Sequence, residues 1–595
     1  MTEPMDGTRR VVCNPVDLPY RYQDVSYGQM GRTLYREGAD PSVVWYRDRY
    51  YMFVSMSQGF FHSTDLARWT YQQTDSIPAL DYAPDARVVD DAIIVCASKA
   101  DENCPFYRSV DPIGAGFEEV SPGTFPFWDP NLFQDDDGSV YLYWGCSNTT
   151  PIVGVQVDPA TFAPRGESVD LIAADITTHG WERPGENHHL EEPKTELERR
   201  VREHIGTDPY VEGAWMTRHG DRYHLQYSAP GTEYNTYADG IYVGAGPLGP
   251  FEYSPHNPFS CKPGGFITGA GHGSTFQDTH GNWWHVATMR VSVSHAFERR
   301  VGLFPAEIDD DGVLHCDQSF ADYPQPLPDR RRALRLPTAP PWMLLSYEKP
   351  ASASSSAPDH GPELVADEDA RTWWVAGGRQ PGEWVSVDLG EDRVIHAIQV
   401  NLADDSLANL VEPARDYVYV GGVDRAIDPA HRPTGLLIEI SSDGESWDVI
   451  RDTRQESADT PHLLVTLARS RPGRFVRVTA GRLPYDAPFT VSGLRVFGTH
   501  AGVAPDRASS VMAERIDPLS ANVTWEASPR AHGYNVRYGV APDKLYHCWQ
   551  VNGRTSLHLS ALNAGSEYWV AVDAFGETGV TFGEPVRVIG ESVSS

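Results

Sequence analysis

Five segments in the first half of the chain share one plan: a short motif with a polar residue, a strand, a tight turn and an aromatic-rich strand. They begin at Asp40, Pro84, Asp129, Val211 and Gly271. Successive motif residues lie 45, 44, 83 and 60 positions apart: Asp40, Asp85, Asp129, Glu212 and His272. Each interval fits one four-stranded unit plus insertions, and the alternating apolar runs with Asp-Gly and His-Gly turns are hairpin signals. The repeat predicts an all-β fold built on a five-bladed β-propeller.

Polar residues stand at one offset in these units. In a propeller each blade begins with its innermost strand, so equivalent residues of different blades meet around the central channel. Asp40, Asp129, Glu212 and His272 are therefore expected to converge. Inverting hydrolysis of a glycosidic bond needs a carboxylate that activates water and a carboxylic acid about 6.5–9.5 Å away. An Asp-Pro pair alone is a turn signal, but the matching offsets favour catalysis.

A specific resemblance is carried by three segments: EGADPSVV (37–44), WDPNLF (128–133) and YVEGAWM (210–216). They resemble the active-site signatures of glycoside hydrolase family 43, and the resemblance extends over roughly residues 15–325. It implies that Asp40 is the general base and that Glu212 is the general acid. Asp129 is then the carboxylate that tunes the pKa of the acid and has an orienting role. The chain departs from the family pattern at Ala214, where Pro is frequent, and at Tyr82, where Trp is usual.

The same resemblance implies further site residues. It places His272 beside a metal ion, often calcium, or a water on the propeller axis; a structural histidine in the glycine-rich loop is the alternative. Arg300, in RRVGLFP, is similar to the last-blade arginine that contacts substrate, and Arg290 is a further candidate. Aromatic walls on which a sugar ring stacks are expected at Phe60, Phe61 and Trp128.

The largest insertion spans about residues 178–206. It is the one part of this region whose pattern predicts a helix, because Leu197, Val201 and Ile205 are four apart. It is expected to cap a blade edge or to rim the site. Long insertions of this kind close one end of a channel, which favours exo over endo action.

The rest of the chain predicts two β-sandwiches behind a propeller domain of residues 1–340, which ends in a proline-rich linker. Segments such as GEWVSVDLG and LLIEISSDGESWDVI resemble a discoidin-type (coagulation factor 5/8 C-terminal) module over residues 343–499. Segments such as ANVTWEAS and LNAGSEYWVAVDA resemble a fibronectin type III domain over residues 505–590, with Trp525 in its core and Tyr568 as its tyrosine corner.

Charge and cysteine content restrict the partners. A formal net charge of −33 argues against nucleic acid or an anionic membrane surface, because either would approach against that field. The seven cysteines show no CxxC pairs or zinc spacing, which fits scattered thiols in a reducing compartment. The N-terminus lacks the apolar stretch of a signal peptide, so a cytoplasmic location is expected.

Together these features predict an inverting, exo-acting glycosidase that releases a terminal furanose or pentose, with α-L-arabinofuranosidase first. β-D-Xylosidase and β-D-galactofuranosidase are alternatives, and a non-catalytic carbohydrate-binding protein is the alternative of another class. A five-bladed fructan or sucrose hydrolase would carry Asn-Asp-Pro and Glu-Cys, where this chain has Ala39-Asp40-Pro41 and Glu212-Gly213. Beyond the calcium ion, no cofactor is expected.

Overall fold

The computed structural model describes residues 10–77, 82–99, 101–194, 199–200, 202–203, 206–420 and 423–590. Within these residues the regular structure is dominated by β-strands, and the all-β prediction is confirmed. The predicted helix around Leu197, Val201 and Ile205 falls on residues outside the described ones. None of the described helices is long and apolar enough to cross a membrane. Short 3-10 helices occupy Gly28–Met30, Gly180–Glu182, Pro362–Val365, Leu407–Asn409 and Pro484–Asp486.

Five antiparallel meanders form the blades, and each begins at one of the predicted repeat units. Blade 1 comprises Ser42–Tyr46, Arg49–Phe53, Gly59–Ser63 and Thr70–Gln73. Blade 2 comprises Asp85–Val89, Ala92–Cys96, Phe106–Ser109 and Glu118–Ser121. Blade 3 comprises Asn131–Gln134, Val140–Trp144, Ile152–Val157 and Val169–Ile172. Blade 4 comprises Glu212–His219, Arg222–Ala229, Ala238–Gly244 and Phe251–Tyr253, with Ser260–Cys261 added beside its third strand. Blade 5 comprises Thr268–Gln277, Trp283–Arg290, Arg299–Ile308 and Leu314–Cys316.

Hydroxyl groups connect blades to the chain at the start of the next blade. In four of the five junctions, a Ser or Thr near the end of a blade's second strand, or just after it, accepts a backbone N–H from that chain segment. The donor and acceptor pairs are Ala83 with Ser55, Asp129 with Ser98, His272 with Ser228 and Asp40 with Thr288, at 2.7–2.9 Å. The equivalent position in blade 3 is Gly145, and Cys146 follows it. These bonds fix the backbone at the positions where the repeat motif places polar side chains.

Residues 343–499 form an eight-stranded antiparallel sheet system, called the second module below. Its strands are Met343–Leu344, Ala351–Ala353, Trp374–Val375, Trp384–Leu402, Leu436–Ser441, Asp448–Asp452, His462–Ala480 and Thr490–Thr499. Alternating residues such as Val385, Val387 and Leu389 fill its core, as expected for strands with one buried face.

Residues 509–587 form the third module, a pair of sheets with three and five strands. The strands are Ser509–Asp517, Ser520–Glu526 and Ser556–Leu559 in one sheet, and Gly533–Gly539, His547–Asn552, Trp569–Gly576, Gly579–Thr581 and Val586–Arg587 in the other. Trp525 is buried in the core, and the Tyr568 hydroxyl accepts the backbone N–H of Asn563 at 3.0 Å. The assignment of these modules to the discoidin and fibronectin families, and the three domain boundaries, stay predictions.

A hairpin of the second module leaves its own sheet and joins the propeller. Strands Val418–Val420 and Val423–Ile427 extend an N-terminal hairpin, Arg21–Ser26 and Arg32–Glu37, into one four-stranded sheet. A further short pair, Val11–Val12 with Gln325–Pro326, joins the two ends of the propeller region. The third module meets the propeller at the insertion, where Gly180 donates its N–H to Leu562 O at 2.9 Å. The sequence predicted none of these junctions.

Candidate active site

The blade starts bring Asp40, Asp129, Glu212 and His272 together. His272 Nδ1 lies 3.4 Å from Asp40 Oδ1 and 3.7 Å from Asp129 Oδ2. Asp129, Glu212 and His272 each offer an oxygen or nitrogen atom within 4.8 Å of the other two. Asp40 and Asp129 are buried, whereas Glu212 is partly exposed. Residues that are up to 232 positions apart in the chain therefore meet around one imidazole.

The backbone at these positions is left-handed. The φ angles are +53° at Asp40, +51° at Asp129 and +46° at His272. Such angles cost free energy for residues other than glycine, and they persist where neighbouring groups over-determine them. Here the hydroxyl groups supply that restraint, because Thr288, Ser98 and Ser228 hold the three backbone N–H groups.

Asp40 is surrounded by donors. Ser55 Oγ donates to Oδ2 at 2.6 Å, and Arg299 Nη1 donates to Oδ1 at 3.2 Å. Burial alone would raise the pKa of Asp40, but Arg299, His272 and the hydroxyls of Ser55 and Thr288 outweigh it and lower that pKa below its ordinary value. Asp40 is therefore ionised, the state that a general base requires.

The pKa of Asp129, which lies beside Glu212, is shifted in the opposite direction to that of Asp40. Burial raises the pKa of Asp129 to about 8, and the neighbouring charges of Glu212 and Asp40 add to the rise against the opposing effect of His272. Glu212 accepts hydrogen bonds from Cys146 Sγ at 3.0 Å and from the Tyr237 hydroxyl. Asp129 therefore holds a proton near neutral pH, directly beside the proposed acid Glu212.

His272 is fixed by Asp239 from behind. Its backbone N–H is donated to both Ser228 Oγ at 2.7 Å and Asp239 Oδ1 at 2.8 Å. Burial lowers the pKa of His272, but the carboxylates of Asp40, Asp129, Glu212 and Asp239 outweigh it and raise the pKa above its ordinary value. The ring is therefore inclined to carry a positive charge among these acids.

The predicted calcium ion would have few protein ligands at this donor set. Asp129, Glu212 and His272 could hold a metal ion between them, but calcium takes about six to eight oxygen ligands. Both oxygens of Glu212 already accept hydrogen bonds from Cys146 and Tyr237. The ion stays a prediction.

Aromatic rings line the approach to Asp129. Trp128 is half-buried, its ring centroid is 6.2 Å from that of Tyr82, and Tyr82 lies 6.0 Å from Phe297. The structure differs from the expectation at Phe60 and Phe61, which are 0% and 1% exposed. Each belongs to a hydrophobic cluster, one on either face of blade 1. A blade is covered on both faces by its neighbours, so neither phenylalanine reaches the site.

The arginines also need a correction. Arg300 lies away from the acids: it is 2% exposed, donates to Arg36 O at 2.7 Å and faces His462 of the second module. Its neighbour Arg299 contacts Asp40 instead, because adjacent residues of a strand point to opposite faces. Arg290 forms an ion pair with Glu186 of the insertion at 2.7 Å.

Several residues of the site were not anticipated from the sequence. They are Arg299, Tyr237, Cys146, Phe297 and, from the second module, Arg425. Strand alternation from Thr288, whose partner across the sheet is Val301, would have favoured Arg299 over Arg300. Cys146 directly follows the position where the other blades carry a hydroxyl, which is a signal within the repeat. Tyr237 and Arg425 carry no local signal.

The propeller region is similar to a family of known proteins. Residues 33–314, a little under half of the chain, match the model of glycosyl hydrolases family 43. A xylan 1,3-beta-xylosidase of a Vibrio species is 27% identical over 288 residues, covering 42% of this chain and 48% of that protein. The match thus spans about half of the relative's length. The family match and this relative support a glycosidase.

Solved structures of similar proteins include glycoside hydrolases. One described as a glycoside hydrolase has a TM-score of 0.42 and 14% identity, covering 77% of this chain and 97% of its own. An endo-1,4-beta-xylanase of Bacteroides thetaiotaomicron has a TM-score of 0.38 and 26% identity, covering 48% of this chain and 95% of its own.

Proposed function

We propose that this protein, whose residues 33–314 match the glycosyl hydrolases of family 43, is an inverting, exo-acting glycosidase that releases a terminal pentose or furanose. The activity is assigned to the pit that Asp40, Asp129 and Glu212 form around His272, called the acid pit below. Its substrate is an oligosaccharide or a polysaccharide side chain.

One observation carries the proposal: the blade starts bring Asp40, Asp129 and Glu212 together around His272, and their surroundings shift the pKa values of Asp40 and Asp129 in opposite directions. Donors around Asp40 lower its pKa, while burial raises the pKa of Asp129, beside Glu212, to about 8. Titratable groups whose environments push their pKa values apart serve as base and acid at the same pH. A protein that only bound sugar would have no need for this separation.

The reaction then proceeds in one displacement. Asp40 accepts a proton from a water molecule, whose oxygen attacks the anomeric carbon. Glu212 donates its proton to the glycosidic oxygen as the bond to the leaving group breaks, so the released sugar has the inverted anomeric configuration. Asp129 adjoins Glu212 and helps to keep that proton in place. Arg299 and Ser55 hold Asp40 in the orientation that faces the water.

The surroundings of the acid pit support exo action. Strand Val423–Ile427 of the second module pairs with the N-terminal hairpin, and its Arg425 contacts Glu37, while Glu186 of the insertion forms an ion pair with Arg290. Such parts of the chain outside the blades would narrow the space for a continuous polysaccharide. We therefore assign cleavage to a chain end or side-chain end.

Three sugars are candidates for the residue that is released. α-L-Arabinofuranose is the first choice, and β-D-xylose is the second because the Vibrio relative is named a xylan 1,3-beta-xylosidase. Trp128, which is half-buried, supplies an aromatic face suited to stacking on either ring. β-D-Galactofuranose completes the set to be assayed.

The test is a panel of aryl α-L-arabinofuranoside, β-D-xyloside and β-D-galactofuranoside, with the first-formed anomer identified by proton NMR. The expected result is release of one sugar with inverted configuration. Asp40→Ala should abolish activity on all substrates. Glu212→Gln should retain more activity on aryl glycosides with good leaving groups than on natural oligosaccharides, since a good leaving group needs no proton.

Asp136→Asn is the matched control, because the Asp136 side chain is 87% exposed; it should leave every rate unchanged. Inertness of the wild-type protein on every glycoside would favour the carbohydrate-binding alternative, and activity that survives both acid-pit substitutions would refute the assigned roles. Retained anomeric configuration would refute inversion. Assays with a chelator and with added calcium test the predicted ion separately.

A further inference from the structure

Glu37 is a buried carboxylate shared by two arginines from distant parts of the chain. Arg299 Nη2, on blade 5, donates to Oε1 at 2.6 Å, and Arg425 Nη1, on the hairpin of the second module, donates to Oε2 at 2.7 Å. The side chains of Glu37 and Arg425 are both 0% exposed. Removing one partner of such a group leaves charge that solvent cannot compensate.

Arg299 also serves a second acid. Its Nη1 lies 3.2 Å from Oδ1 of Asp40, so one guanidinium bridges Glu37 and Asp40. The polar contacts run continuously from Arg425 through Glu37 and Arg299 to Asp40. Arg299 forms ion pairs with both carboxylates. The positive charge of Arg425 beside Glu37 therefore affects how strongly Arg299 interacts with Asp40.

Arg425 lies on the sheet that joins the second module to the propeller. It stands opposite Val25 in the register between Val423–Ile427 and Arg21–Ser26. Among the described residues its Nε and Nη2 have no hydrogen-bond partner, so the ion pair with Glu37 is its main polar contact. Its guanidinium carbon also lies 5.5 Å from the ring centroid of Tyr82, which adjoins Trp128.

We propose that Arg425 is a positioning residue for the glycosidase reaction and that the second module is thereby part of the catalytic unit. By compensating Glu37, Arg425 leaves Arg299 available to Asp40. Without Arg425, Glu37 retains Arg299 as its one arginine partner and draws it from Asp40, whose carboxylate then loses a fixed orientation. This inference rests on the proposed role of Asp40 as the base. The chemical step, and not substrate binding, should suffer.

The test is a double-mutant cycle in the full-length protein, with Arg425→Met, Glu37→Gln and the double variant. Arg425→Met should lower kcat by about tenfold to a hundredfold, the scale of a misplaced catalytic group, with KM changed less than about threefold. In the Glu37→Gln background the same substitution should cause no further loss, because no carboxylate is left to compete for Arg299. Arg425→Lys, which keeps the charge, should recover kcat to within about threefold of wild type.

Arg36→Met is the matched control. Arg36 precedes Glu37 on the same strand, points to the other face, and forms a buried ion pair with Asp459 of the second module at 2.9 Å. The substitution should lower thermal stability and leave kcat unchanged. It thereby separates the loss of a fastening between two modules from the loss of a positioning residue.

Unchanged kcat in a folded Arg425→Met variant, or equal losses in that variant and Arg36→Met, would overturn the inference, and so would additive effects in the cycle. If Arg425→Met does not fold, Arg425→Gln takes its place. If the wild-type protein hydrolyses no glycoside, the proposed function fails. A crystal structure of the Arg425 variant then tests whether Arg425 positions Asp40 through Glu37 and Arg299. An Arg299 to Asp40 contact lengthened beyond about 4 Å supports the positioning role, and an unchanged contact refutes it.

Discussion

Gly213 lies against the imidazole of His272, where an added Cβ atom would stand 2.9 Å from ring Cγ and 2.6 Å from Ser228 Oγ. Its φ of +63° is also one that favours glycine. The residue that follows the proposed acid therefore admits no side chain, and the close approach keeps His272 beside the acids.

Gly213→Ala should reduce activity by at least about a hundredfold by displacing His272 or Ser228. Gly220 is the matched control, since its φ of +62° is nearly identical and no atom lies within 4 Å of an added Cβ. Both substitutions should lower the unfolding free energy by about 1 kcal/mol from backbone strain, measured by chemical denaturation. Equal activities of the two variants would contradict the crowding explanation.

Cys146 takes part in the acid pit although cysteine is unusual among sugar-hydrolysing groups. Its thiol is 3.0 Å from Glu212 Oε2, and burial, reinforced by Asp129 and Glu212, raises the pKa of Cys146 well above its ordinary value. The thiol is thus a neutral hydrogen-bond donor at working pH.

Cys146→Ala should lower kcat by about tenfold, the loss of one hydrogen bond, and Cys146→Ser should remain within about threefold of wild type. Steady-state kinetics on the preferred aryl glycoside measure both. Cys548→Ala, which removes a buried thiol of the third module, is the control and should change only stability. An unaffected kcat in Cys146→Ala would show that the thiol only fills space.

The repeat was legible in the sequence because each blade alternates apolar residues between tight turns, and because equal offsets place Asp40, Asp129, Glu212 and His272 at equivalent blade starts. Local pattern fixes where a strand begins and therefore which residues approach the axis. The same pattern did not distinguish Arg299 from Arg300, since two adjacent arginines differ only in the face to which they point.

Long-range pairing accounts for the other differences between the prediction from the sequence and the structure. Phe60 and Phe61 follow each other on one strand and are both buried, because both faces of a blade are covered. Arg425 reaches Glu37 across 388 positions of sequence, through a hairpin that joins a sheet outside its own module. No spacing or composition within either segment indicates that partnership.

The pH dependence of kcat/KM should fall on the alkaline side with an apparent pKa near 8. Asp129 adjoins the proposed acid Glu212, and the pKa of Asp129 is raised to about 8, so the proton that Asp129 holds is lost as pH rises through that value. Asp40 has a lowered pKa and stays ionised well below neutrality, so the acid limb should lie below the range of an ordinary aspartate. Profiles from pH 3 to 10 with one aryl glycoside measure both limbs.

Asp129→Asn supplies the control, because it removes the group whose raised pKa defines the alkaline limb. That limb should move while the acid limb stays in place. An alkaline limb that is identical in the variant and the wild type would show that another group controls it.

His188 predicts how acid affects stability at the junction between the insertion and the third module. The ring is buried, its centroid lies 6.2 Å from that of Trp549, and Nδ1 is 3.2 Å from Arg183 O. Burial lowers the pKa of His188 to about 3 from an ordinary value of 6.5. The unfolded chain therefore binds a proton as pH falls below 6.5 while the folded chain does not, and stability is lost between pH 6.5 and about 3, by about 1.4 kcal/mol per pH unit.

His188→Asn should flatten this dependence, since asparagine does not titrate and tolerates the φ of +61° at this position. The melting temperature is measured at pH 7, 6, 5 and 4 for wild type, His188→Asn and the surface variant His219→Asn. The His188 variant should lose less stability on acidification than either of the others, even if its stability at pH 7 is lower. Parallel curves for all three proteins would mean that His188 is protonated, or exposed, in the folded state.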